Sequence, residues 1–153
     1  MGTDDRRPDL GTDREHWIAG IVVGLFAGFV FGAIMSHTPM MDNVAALLNL
    51  GEAWHGWLVH FGFSAIFGLG YVGIAAAAPS LADRPSTGAV TGVSYGIVVW
   101  VLGAAIVMPL WLGAVQPVDP PVPNWNWLSF AGHIAFGVTL GAFYPVVVAH
   151  ETP

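Results

Sequence analysis

Four stretches of this chain contain no charged side chain at all: Trp17–Ser36, Trp57–Ala78, Thr87–Ala114 and Trp127–Ala149. The acids and arginines that separate them are confined to the connections and the ends. Each stretch is close to or longer than the roughly 20 residues a helix needs to cross about 30 Å of hydrocarbon. Irregular backbone cannot face lipid, and a glycine-rich pattern without strict alternation does not suit a β-barrel. The expected fold class is therefore all-α: a polytopic membrane four-helix bundle made of two tandem helical hairpins. Residues 1–16 form a polar tail, 17–149 the membrane domain and 150–153 a short C-terminal tail. With 55% hydrophobic and 9% charged residues among 153, a small soluble core would leave much apolar surface unburied.

The four arginines set an expected orientation. Arg6, Arg7 and Arg14 precede the first span and Arg84 lies between the second and third, so all fall on one side, and that side is expected to be cytoplasmic. Both termini then face the cytoplasm, in a protein of the cell membrane. Tryptophans 17, 54, 57, 111, 125 and 127 cluster at span ends, as interfacial indoles do, whereas Trp100 is mid-span. The polar N-terminus has no apolar core of a signal peptide, so the first stretch is expected to remain as a span. Of the two longer loops, "MDNVAALLNLGEAW" suits a short surface helix and "VQPVDPPVPNW" does not. Pro109 and Pro145 sit inside spans, where each is expected to free a carbonyl.

Several function classes fall away. The chain has neither cysteine nor lysine, which removes disulfides, thiolate metal sites, cysteine nucleophiles and Schiff-base chemistry through lysine, a retinal linkage included. No basic patch for nucleic acid exists. No HExxH, Walker loop, GxSxG elbow or carboxylate pair occurs within a span, so no enzyme class is indicated. The absence of acids inside the spans also argues against a proton-coupled carrier or a cation channel, and leaves a channel or carrier for a neutral solute open.

The second and fourth spans share a skeleton. "HFGFSAIFGLGY" (His60–Tyr71) and "HIAFGVTLGAFY" (His133–Tyr144) match in His, Phe, Gly and Tyr at one separation of 73 residues (133 − 60, 136 − 63, 141 − 68, 144 − 71). A weaker echo pairs Met35 with Met108 at the same separation (108 − 35). Two hairpins of one origin, in parallel orientation, are expected, with His60 and His133 level on diagonal helices. The first and third spans carry ladders of glycine, Gly20-Gly24-Gly28-Gly32 and Gly88-Gly92-Gly96. Such flat faces serve close packing within the bundle or between copies, in a homo-oligomer or a larger membrane complex.

A histidine in an apolar span is a candidate site because burying it unpaired is costly. One reading is plain: each imidazole hydrogen-bonds a serine or carbonyl nearby in a cofactor-free structural or accessory bundle. The sharper reading makes His60 and His133 the two ligands of a b-type haem, as a small redox or accessory subunit. Its variant places copper, as Cu(I), between His60, His133, Met35 and Met108. Met108 lies off the inward stripe of an ideal helix and needs a distortion at Pro109 to join them. His37, Met40, Met41 and His55 stand at the loop side, where they either relay a metal or proton or are ordinary loop residues; His16 and His150, at the opposite boundary, call for no special role.

The segments "SYGIVVWVLGAAIVMP" (Ser94–Pro109), "WLVHFGFSAIFGLGY" and "GHIAFGVTLGAFY" resemble a group of small, uncharacterised four-span membrane proteins of salt-loving archaea, some of which carry the misleading label of histidine kinase. That resemblance covers most of 17–149 and implies the fold without an activity. The sequence contains neither an ATP-binding nor a phosphotransfer domain.

Overall fold

The computed structural model describes residues 14–151. Residues 1–13 and 152–153, with Arg6 and Arg7 of the expected arginine group, lie outside the described residues, as does the side chain of His150. The described chain is helical throughout its regular parts: α1 (Arg14–Met35), α2 (Met40–Ala46), α3 (Ala53–Ala77), a 3₁₀ turn at Pro79–Leu81, α4 (Pro85–Val99), a π-helical segment Trp100–Val107, α5 (Met108–Val115) and α6 (Trp127–Glu151). Helices α1, α3, α6 and the continuous run Pro85–Val115 are long and apolar enough to cross a membrane. Pro85 opens α4 at the first helical turn, where its missing N–H costs nothing. Asn126 precedes α6 and accepts the N–H of Ser129 on its side-chain oxygen at 2.9 Å.

Glycine decides which helices touch. Helix α1 packs against α3 and α6, and α4 packs against α6. A Cβ at Gly24 would meet the Ser64 carbonyl oxygen and Gly68, and one at Gly68 would strike the Gly20 carbonyl. The second seam is built alike: a Cβ at Gly92 would strike the Gly137 carbonyl, one at Gly137 that of Gly92, and Gly88 and Gly141 obstruct each other in the same way. Any side chain larger than hydrogen would push these helices apart. The ladders are thus consumed inside the chain. Of the two uses expected of them, packing within the bundle is the one these contacts serve.

The two seams match each other contact for contact. Gly24 meets Ser64 and Gly68 as Gly92 meets Gly137 and Gly141, so the ladder glycines correspond 68 residues apart (92 − 24, 96 − 28).

Spans two and three are held differently, through side chains. The hydroxyl of Tyr95 donates to the Phe67 carbonyl at 2.8 Å and that of Tyr71 to the Gly88 carbonyl at 3.0 Å. Both ties lie toward the end that holds the 78–84 connection. Tyr71 and Tyr144 meet edge to face there, their ring centroids 5.6 Å apart, and Tyr144 is hydrogen-bonded to buried His16 at 3.0 Å. His16 is therefore part of the packed interior, not the unremarkable boundary residue expected.

At the other end α2 forms where the loop sequence suggested a helix. It buries Met41, Val44 and Ala45, and it sits on α3 so closely that a Cβ at Gly56 would strike the Met41 carbonyl. The distortion expected at Pro109 appears just before it. The Met108 N–H reaches back to the Gly103 carbonyl, five residues earlier, in the wide π turn. Proline has no N–H for the carbonyl four residues back, that of Ala105. The N–H of Asn124, from the 116–126 connection, donates to it instead at 2.8 Å.

Candidate cavity and its two imidazoles

Between the spans, in the half nearer α2, lies a cavity of about 540 Å³. Its roof is α2 tied to α5 and the following loop. The Trp111 indole N–H donates to the Leu47 carbonyl at 2.8 Å, and the Gln116 amide donates to the Ala46 carbonyl at 2.9 Å. His60, His133, Met35 and Met108 all line it. The four residues singled out in the sequence thus share one enclosure, Met108 through the π turn ahead of Pro109.

His60 places Nε2 2.9 Å from the Gly28 carbonyl. A carbonyl only accepts, so Nε2 carries the hydrogen and Nδ1 keeps its lone pair. His133 places Nδ1 2.8 Å from the Ser129 carbonyl, so here Nδ1 carries the hydrogen and Nε2 keeps the lone pair. The glycine at 28 matters to the first bond: a Cβ there would strike the Ser64 side chain that lies beside the imidazole. Ser64 spends its own hydroxyl hydrogen on the His60 carbonyl at 2.7 Å.

One aromatic ring touches both imidazoles. The Phe31 ring meets both edge-on, with centroids 5.2 Å from His60 and 4.7 Å from His133. It reaches that place because position 132 is glycine; a Cβ there would strike the ring. Phe31 escaped the sequence reading, although it sits one turn from Gly28 on the stripe leading to Met35. Ser129, one turn before His133, was legible in the same sense.

Among the described residues no Asp, Glu, Lys or Arg lines the cavity. Among the described residues no group of three or more His, Cys, Asp or Glu side chains is placed to hold a metal ion. Neither His37 nor His55 lines the cavity, whereas Met40 does. His55 stacks on Trp54 with centroids 3.6 Å apart and buries Nδ1 without a partner.

No protein family matches the chain, and neither a curated protein nor a solved structure matches it.

The cavity is therefore a largely apolar space lined by two imidazoles, each with one nitrogen engaged on a carbonyl and the other an acceptor. Such nitrogens accept a hydrogen bond or bind a metal.

Proposed function

We propose that this chain is a multi-pass membrane protein that holds a small, neutral, largely apolar molecule in the cavity beside α2. The supporting observation is that His60 and His133 each spend their N–H on a backbone carbonyl and keep the second nitrogen as an acceptor at one enclosure. The cavity volume lies in the range of small-molecule sites, which are mostly apolar with a few placed polar groups. A bundle without any ligand accounts for His60, whose bond ties α3 to α1. The His133 bond stays within α6, and that ring meets a neighbouring helix through the Phe31 edge instead. The two glycine seams support an origin from duplicated hairpins, and the arginine placement supports cytoplasmic termini.

A second reading, a b-type haem or copper, is favoured by one feature. Metal-binding imidazoles commonly anchor their other N–H on a carbonyl, as both do here, and Met35 and Met108 line the same space. Against it stands the Phe31 ring, which must swing away before one iron or copper can reach both rings.

The test is direct. The protein is purified in mild detergent, its visible spectrum and metal content are recorded, and solvent extracts are analysed by mass spectrometry. A metal-free, haem-free protein carrying a lipid-soluble organic compound is the expected result. A Soret band or stoichiometric copper moves the conclusion to the second reading. A protein that carries nothing and takes up no apolar dye overturns both.

A further inference from the structure

Resting on the reading just given, we infer that the molecule held in the cavity beside His60, Phe31 and His133 is a lipid-soluble hydroquinone, its hydroxyls donating to the two imidazoles. The two imidazoles favour a donor: His60 Nδ1 and His133 Nε2 are acceptors, and Ser64 has already given its hydrogen to the His60 carbonyl. The Ser129 hydroxyl, 3.5 Å from the N–H-bearing His133 Nδ1, keeps a hydrogen for the oxygen of the same ligand hydroxyl. A ligand bearing only carbonyl oxygens would leave these nitrogens buried and unpaired, at a cost in affinity. Amide donors occur on the cavity wall at Asn43, Asn124 and Asn126, which belong to α2 and the 116–126 connection, where they suit ring substituents with acceptor oxygens. With no charged group on the wall, a cation or anion would lack a counter-charge.

The walls favour a flat ring. Phe31, Phe63, Phe67, Phe136 and Trp111 all line the space, and aromatic faces and edges pair well with an aromatic guest. An exit for an apolar tail lies between α3 and the third span. The ties between them, Tyr95 to Phe67 and Tyr71 to Gly88, stand toward the 78–84 end, the first of them at Phe67 on the cavity wall. Beside it, Phe63 and Val107 line the space and are themselves 40% and 54% exposed. A hydroquinone ring seated at the imidazoles can therefore leave its tail among the acyl chains.

The experiment compares three ligands on the full chain in detergent under anaerobic conditions: a decyl-tailed hydroquinone, its dimethyl ether and the corresponding quinone. Binding is read by quenching of tryptophan fluorescence, Trp111 being on the cavity wall. The hydroquinone is expected to bind at least about tenfold more tightly than the ether, the worth of one to two neutral hydrogen bonds. The Gly103→Leu variant is expected to lose saturable binding while keeping its helical spectrum, because a side chain there enters open space, meeting only Val99 at 3.9 Å. Equal binding of all three compounds, or a preference for the quinone, overturns the hydroquinone assignment and leaves the apolar-ligand function standing. Failure of all three together with an apolar dye overturns both.

Discussion

His133 is hydrogen-bonded to the carbonyl of Ser129, 2.8 Å away and one turn earlier on the same helix. The bond orients the ring without fastening α6 to anything. His60 differs: its carbonyl partner, Gly28, belongs to the neighbouring helix. Stability and ligand binding should therefore separate at these two residues. His60→Leu is expected to cost about 1 kcal/mol in thermal unfolding. His133→Leu should cost clearly less, while both weaken a donor-bearing ligand several-fold.

The glycine seams predict a sharp contrast between positions. Gly92→Ala and Gly137→Ala force a methyl group against a backbone carbonyl and are each expected to cost about 1–3 kcal/mol, seen as a lower melting temperature. Gly62→Ala meets nothing within 4 Å. It is expected to be neutral or to stabilise α3 by up to about 1 kcal/mol through helix propensity.

Restoring an N–H at Pro109 should undo the π turn. Pro109→Ala offers the Ala105 carbonyl a donor within its own helix, in competition with Asn124. The Asn124 amide is then expected to exchange with solvent faster, and uptake of an apolar dye to fall as Met108 rotates off the cavity wall. Hydrogen exchange and dye titration check the two parts separately.

The roof should loosen on its own. Trp111→Phe with Gln116→Ala removes the bonds to the Leu47 and Ala46 carbonyls, at about 1 kcal/mol each. Amides of α2 are expected to exchange tenfold or more faster, with those of α1 and α6 unchanged.

At the connection before α4, the Thr87 hydroxyl donates to Asp83 at 2.8 Å, and with the nearby Arg84 it holds that carboxyl below the usual carboxylate range. A depressed folded pKa contributes stability above the unfolded value, and the contribution is lost as pH falls through the folded one. Below about pH 4 the wild type should therefore lose slightly more stability than Asp83→Asn. Thr87→Val should move the Asp83 titration, followed by NMR, back up.

Much of this architecture can be read from the chain itself. Hydrocarbon excludes charge and unpaired backbone, so four uncharged stretches of sufficient length announce four helices, and the proline-rich 116–126 segment announces a loop without one. The glycine ladders announce close approach, since nothing else about Gly20, Gly24 and Gly28 recurs so regularly. His60 and His133 stood out because an imidazole in an apolar run requires a partner.

What lay beyond the sequence was which partners these residues meet. The ladder of α1 says nothing of Ser64 and Gly68, the residues it meets. The Phe31 ring between the imidazoles depends on a glycine at 132, a hundred residues away in the chain. Met108 lines the cavity after the π turn ahead of Pro109, where the Ala105 carbonyl takes the Asn124 N–H from a distant loop. Local chemistry sets where a helix runs and which groups must be satisfied; long-range packing alone selects the atom that satisfies each.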